Sequence, residues 1–419
     1  MKHIWLILLI CPLWLSAQTV PVTLEECLGK AMEVWPGSKG TSLAAESGEI
    51  RQRSAQNTWY PRLSLGGQAS WQSDVTEVSL PLPGIMLPEI PHDQYKVFMD
   101  ISQVLYDGRL SSARAKTERL NAGADSVQVM VDGRKVKEMV IDLYTGVLYY
   151  RQLEQLSLTL LERLNKRLVV LQSSADNGVM AATDILLFRA EVKKAEQALN
   201  DAVIAETSML ASLSILTGTE LNRQTPFEKP PAVFNLSDEL SRPEFSLFML
   251  QKDILNTSQS AASGSLRPQL SAFAQGGYGR PALNMFSVDF DTYFMAGVRL
   301  NWTLYDWGQS AREKQVLELK KRTISLAEEN LKQTIAVQLS QQQMEMERLK
   351  KQMVSDDEII GLYEKVVEQS AVSLEQGIIT PVDYLDKESL WRTAGIEKAR
   401  SEARYFRACS MYRFIKGEI

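Results

Sequence analysis

Histidine is nearly missing from this chain: 419 residues contain two, His3 and His92. A His-ligated metal centre or a Ser-His-Asp site needs imidazole converging with other polar groups, so neither chemistry is supplied. A basic surplus is missing too, with 46 Lys and Arg against 51 Asp and Glu. Nothing in that balance would neutralise a phosphate backbone, which excludes nucleic acid as a partner. There is no P-loop, no Rossmann glycine fingerprint after a strand and no zinc motif, and the Gly276-Gly-Tyr-Gly279 run reads as a strand end. The composition therefore points away from an enzyme and calls for no cofactor or metal. Past the N-terminus no apolar run of about 20 residues recurs, so no spanning helix is expected. An exported chain integral to a membrane would then have to cross as strands of a closed barrel.

Export is what the first residues suggest. Lys2 and His3 give a polar start, Ile4 to Leu15 an apolar run, and Ser16-Ala17 a small-residue cleavage site, so 1–17 reads as a signal peptide. Its removal leaves Cys27 and Cys409, which either pair in an oxidising compartment or remain as buried thiols.

The rest of the chain is written twice. Leu105-Tyr106-Asp107 returns as Leu304-Tyr305-Asp306, Gly178 and Asp184 as Gly377 and Asp383, Leu186 as Leu385, and Gly218 as Gly417, all at an offset of 199. Pro36 and Pro61-Arg-Leu-Ser64 return as Pro243 and Pro268-Gln-Leu-Ser271 at an offset of 207. A tandem duplication with one gap accounts for the order of all of these. It gives a first repeat at 18–218, a linker at 219–242 and a second repeat at 243–419.

Each repeat has the same internal grammar: a helix, a β-hairpin (60–106 and 267–306), a very long helix and a returning helix. In the first repeat the helical signal runs from Leu24 to about Thr58. From Arg109 to Gln172 there is no proline, and apolar residues recur in steps of three and four, the spacing of a coiled-coil seam. Such a stretch of about 64 residues would make a rod of roughly 95 Å. Its counterpart runs from Gln309 to about Glu375. The strand segments Pro61–Gln72, Tyr95–Tyr106, Leu270–Tyr278 and Tyr293–Leu304 alternate with period two instead, as strands between lipid and water do, although a soluble sandwich strand alternates too. Trp59, Tyr60, Tyr106, Trp302, Tyr305 and Trp307 sit where these strands begin and end, as interface rings or as ordinary core aromatics. Four strands close nothing. At least eight are needed for a barrel, and three copies would supply 12.

These features together, the duplicated layout, the two Leu-Tyr-Asp strand exits and the Gly178/Asp184 and Gly377/Asp383 tips, resemble the outer-membrane efflux proteins, the TolC-like family. The resemblance covers nearly the whole mature chain. It implies a mainly α fold with a small β part, in which long coiled-coil helices form a trimeric periplasmic α-barrel below a 12-stranded transmembrane β-barrel. It also implies a homotrimer in the outer membrane of a Gram-negative bacterium, extending into the periplasm. There it would serve as the exit duct for an inner-membrane pump and a periplasmic adaptor, in efflux or type I secretion. A periplasmic coiled-coil adaptor without a pore is the alternative.

By the same resemblance, Asp383 and Asp386 would narrow the periplasmic entrance as two carboxylate rings. Gly178, Thr183, Asp184, Gly377 and Thr380 would form the tips that meet the adaptor. Helix capping or plain solvation is the competing reading of the two aspartates. The positions facing the first tip, Leu374 and Ile379, are apolar, so tip closure by packing is expected in place of the family's polar latch.

Overall fold

The computed structural model describes residues 21–75, 91–177, 181–231, 240–284 and 287–419. The signal-peptide reading of 1–17 and the tip residue Gly178 lie outside them, as does most of the proline-rich loop between the first two strands. The elements run α1 (Leu24–Val34), α2 (Gly40–Gln56), β1 (Arg62–Trp71), β2 (Asp93–Tyr106), α3 (Leu110–Asp176) and α4 (Ala182–Thr217). Then come α5 (Pro243–Gly264), β3 (Gln269–Arg280), β4 (Asp291–Asn301), α6 (Gln309–Glu375) and α7 (Pro381–Lys416). Helix, hairpin, long helix and return helix thus occur twice in order, and α3 and α6 have the same length, 67 residues.

One expectation is corrected at the start. The helix read from Leu24 to about Thr58 is two helices, separated by a 3₁₀ turn at Pro36–Lys39. Pro36 has no N–H to donate and pushes the residue before it out of the helical region; Trp35 has ψ 120°.

The chain divides into two compact units. The first comprises Met1–Ser38, Asp132–Arg242 and Gln333–Ile419. In it, Leu24, Cys27, Leu28 and Ala31 of α1 are buried, as are Leu210 and Leu213 of α4, and these two helices pack together. The Tyr144 hydroxyl lies between the carbonyls of Val22 (2.8 Å) and Glu228 (2.6 Å), fixing the segment that leads into α1. Cys27 and Cys409 are both buried free thiols, so the disulfide alternative is not realised. Burial pushes the Cys27 thiol up to about 12 and that of Cys409 to about 11.

The expectation of no helix apolar enough to cross a membrane also needs correction, because α4 qualifies by length and composition. One side of it packs on protein, with Ile185, Phe188 and Leu213 buried, while Leu186, Ile204 and Ile215 are exposed. The equally buried Glu206 is paired with Arg151 (2.8 Å) and Arg223 (3.1 Å).

The second unit comprises Lys39–Val131 and Pro243–Lys332. Here Gly48 of α2 lets Ala122 of α3 approach closely, and Lys252 pairs with Glu328 at 2.7 Å. The same unit holds the four-stranded antiparallel sheet, in the order β1-β2-β3-β4.

Candidate functional site

The sheet sorts its residues by parity. Pairings Leu63↔Ile101, Leu65↔Met99, Met99↔Gly276 and Gly276↔Phe294 place one set on a common face, together with Ala272↔Val298 and Leu270↔Leu300. This face is apolar and bare: Leu65 is 75% exposed, Phe294 71% and Val298 64%. The opposite face carries Ser64, Gln68, Lys96, Asp100, Gln275 and Arg299, and most of its positions are half-buried. In water the bare face would be a large unpaid exposure of apolar area; against hydrocarbon it is the natural surface. Among the described residues β1 and β4 each pair along one side only, which leaves two open edges.

All six expected interface aromatics are exposed. Tyr106 ends β2 and Trp59 and Tyr60 precede β1, as the alternation predicts. The fourth strand is shorter than expected, stopping at Asn301 in place of Leu304. Trp302 leaves the ladder because its indole N–H donates to the Leu266 carbonyl at 3.1 Å, so Trp302, Tyr305 and Trp307 lie beyond the strand.

The repeated Leu-Tyr-Asp has a local physical job that spacing alone did not reveal. Asp107 accepts from the N–H of Arg109 (2.9 Å) and of Ser111 (2.6 Å), and Asp306 accepts from Gly308 (3.0 Å) and Ser310 (2.7 Å). Each aspartate caps the first turn of a 67-residue helix in the corner between strand and helix. The bonds from Ser310 and Gly308 hold the Asp306 carboxyl below its usual range. Replacing the buried Asp107 by alanine is expected to cost about 1 kcal/mol, within the usual range for a lost cap. Thermal unfolding of the detergent-solubilised protein would measure it; an unchanged midpoint would show that the cap contributes nothing.

The tips belong to the other unit. Helix α6 ends at Glu375, and Gly377 then takes φ +71° while the N–H of Ile378 reaches back to the Ser373 carbonyl at 2.9 Å, a left-handed helix stop. Thr380 opens α7 with a capping box. Its hydroxyl accepts from the Asp383 N–H (3.2 Å), while Asp383 Oδ2 accepts from the Thr380 N–H (3.0 Å) and hydroxyl (2.7 Å). Pro381 sits at the first helical position, where no donor is missed. Those bonds from Thr380 hold the Asp383 carboxyl below its usual range. Asp386 is exposed one turn on, on the same side as Asp383 and away from buried Tyr384, Glu388 and Trp391.

The first tip differs. Ala181 precedes α4 without a side-chain cap, Thr183 is exposed, and Asp184 is half-buried, its N–H donating to the Ala181 carbonyl.

Behind both tips lies an apolar cluster of Leu171, Ile185, Phe188, Leu374 and Tyr384, with Ile379 packed against it. Polar links that the sequence reading did not find cross the same region. Arg163 and Arg167 of α3 pair with Glu364 and Glu375 of α6. Arg163 also covers the Trp391 ring at 4.2 Å, and the Tyr384 hydroxyl donates to Glu388 Oε1 at 2.6 Å. Glu388 is 2% exposed, and its Oε2 has no partner. Desolvation raises its pKa, against the opposing effects of the Tyr384 bond and of Arg163 and Arg167. Among the described residues no group of three or more His, Cys, Asp or Glu is placed to hold a metal.

Sequence comparison finds no matching family model and no curated relative. Comparison of structures is informative. The chain superimposes on the transmembrane channel protein CusC with a TM-score of 0.71 at 12% identity, covering 95% of this chain and 92% of that one. For the outer membrane protein VceC of Vibrio cholerae the TM-score is 0.69 at 13% identity, over 94% and 96% of the two chains. For the CmeC outer membrane channel of Campylobacter jejuni it is 0.66 at 14% identity, over 94% and 85%. The duplicated layout of long helices and a small antiparallel sheet is thus matched over nearly the full length, and the chain has the mainly helical fold of these outer-membrane channels.

Proposed function

We propose that this chain is the outer-membrane exit duct of a tripartite efflux or type I secretion system. It would conduct substrates passively from an inner-membrane pump and periplasmic adaptor to the exterior. The observation that carries this reading is the sheet: four strands, apolar and bare on one face, polar on the other, with both edges open. Three copies joined edge to edge would close 12 strands with the apolar face toward lipid and the polar face toward water. A soluble periplasmic adaptor would have no use for that bare face. The six exposed aromatics all lie at the end of the sheet that leads into the helices, and they suit the membrane interface on that side.

Extraction from the membrane is expected to require detergent, and crosslinking of the extract to give a trimer that forms conducting pores in planar bilayers. A protein that stays monomeric and soluble without detergent would refute the assignment.

In such a trimer Asp383 and Asp386 would stack as two rings of three carboxylates at the periplasmic entrance. The Thr380 cap favours a charged Asp383 at neutral pH, in opposition to the repulsion expected within a ring. The Asp383→Asn/Asp386→Asn pair keeps an acceptor for Thr380 and removes the charge. Pores of this variant are expected to lose block by divalent cations added on the periplasmic side; retained block would remove both residues from the constriction. The tip residues Gly178, Thr183, Asp184, Gly377 and Thr380 are the proposed adaptor contact. Crosslinkers placed at Thr183 and Thr380 are expected to capture a periplasmic partner.

A further inference from the structure

On the polar face of the sheet one row consists entirely of rings and glycines. The pairings Gly66↔Phe98, Phe98↔Gly277 and Gly277↔Tyr293 put two aromatics and two glycines in strict alternation at a single level across all four strands. The glycines are room for the rings. A Cβ on Gly66 would come within 2.6 Å of the Phe98 ring, and one on Gly277 within 2.7 Å of the Tyr293 ring. Each ring therefore occupies the space where its neighbour's side chain would stand, lying along the wall of the sheet.

A third pair of this kind, Phe273 beside Gly297, lies two rows away on the same face, and there Arg299 already sits over the ring at 5.1 Å. Among the described residues no ring or cation packs on Phe98 or Tyr293, and both side chains are half-buried. Of the rows on either side, one carries Asp100 beside Gln275 and the other Lys96 and Asp291, two carboxylates and one ammonium in all. That small acidic excess disfavours anions, and a neutral or cationic ring with polar substituents is suited to it.

We propose that Phe98 and Tyr293 form a stacking site for planar aromatic solutes in transit. The inference rests on the duct reading, since only closure of the sheet turns this face into the wall of a bore. Three copies would then bring six such rings to one level. Rings laid flat leave the bore open while presenting π faces, so a planar solute exchanges from ring to ring by offset stacking without a deep well at any one of them. The chemical class of cargo this favours is small aromatic molecules.

The test is current block in planar bilayers by acriflavine, a planar aromatic cation, beside tetraethylammonium, a cation without a ring. Wild-type pores are expected to show concentration-dependent block by acriflavine. In the Phe98→Leu/Tyr293→Leu variant, which keeps apolar bulk over the glycines, the half-blocking concentration should rise about tenfold, as loss of ring stacking implies. Unblocked conductance and the response to tetraethylammonium should not change. Equal acriflavine block in both proteins, or none in wild-type pores that conduct, overturns the proposal and leaves the duct standing. Absence of any pore overturns the duct and this site with it. Polarisation of acriflavine fluorescence with detergent-solubilised wild-type and single variants reads the same site without a bilayer, and equal binding by all of them would likewise refute it.

Discussion

Met99→Arg is expected to abolish assembly into the outer membrane, while Gln275→Arg is tolerated. Met99 lies near the middle of β2 on the bare face, between Leu65 and Gly276. A lipid-facing arginine near the bilayer midplane costs about 2–4 kcal/mol in a transmembrane barrel, and a trimer would pay it at three places. Gln275 is a ladder neighbour on the opposite face, between Asp100 and Met295, where an arginine stays in water. Membrane fractionation and the heat-resistance of the trimer on gels would compare the two. Equal behaviour would mean that the faces do not separate lipid from water.

The second large effect concerns pH at the tips. Glu388 is buried among Tyr384 of its own helix, Arg163 and Arg167 of α3 and Glu364 of α6, and its pKa is raised chiefly by desolvation. Any state in which α7 separates and wets this carboxyl restores an ordinary carboxylate value. The packed arrangement therefore binds the proton more tightly than the separated one. Packing is favoured in full below the ordinary carboxylate range, and the advantage is lost progressively as pH rises through the raised value. The sign is opposite to that of a salt-bridged carboxylate. Within that window the packing free energy should change by at most about 1.4 kcal/mol per pH unit.

Glu388→Gln keeps an acceptor for the Tyr384 hydroxyl and has no proton to lose. Hydrogen exchange of the α7 amides between 381 and 391, corrected for intrinsic rates, should slow on acidification in the wild type. In the variant it should stay slow and independent of pH. A wild type whose tip loosens in acid would reverse the assignment, and it would give the leading role to the Arg163–Glu364 and Arg167–Glu375 pairs.

Much of this architecture was readable because period and punctuation are written into the chain. Alternation over ten residues located all four strands to within a few positions, and freedom from proline located α3 and α6. What escaped was decided by contacts between distant residues. The end of β4 depends on an indole bond from Trp302 to Leu266, which no local pattern encodes. Glu388 looks from the sequence like one more charge on a long polar helix, and only the packing of α3 and α6 against α7 buries it. Gly66 is locally just a small residue in an alternating strand, and the partner ring that fills its space comes from the next strand. A break at Pro36 was available locally, and the helical signal on both sides outweighed it in the reading. The Thr380-Pro381-x-Asp383 box was equally available and carries the start of α7.

The two strand-to-helix corners show what duplication did and did not preserve. Both pass through consecutive residues at positive φ: Gly108 (+69°) with Arg109 (+72°), and Trp307 (+55°) with Gly308 (+74°). Glycine relieves the first position in one copy and the second in the other, so each corner holds one side chain in a conformation costing roughly 1–2 kcal/mol. At Gly108 there is no choice, since a Cβ would stand 2.7 Å from the Gly264 carbonyl oxygen. At the equivalent place the second copy carries Trp307, 79% exposed and edge-on to Tyr305 at 5.1 Å. In the proposed duct this exposed indole, kept on a backbone that would relax as glycine, would sit among lipid headgroups, and that setting would offset the strain.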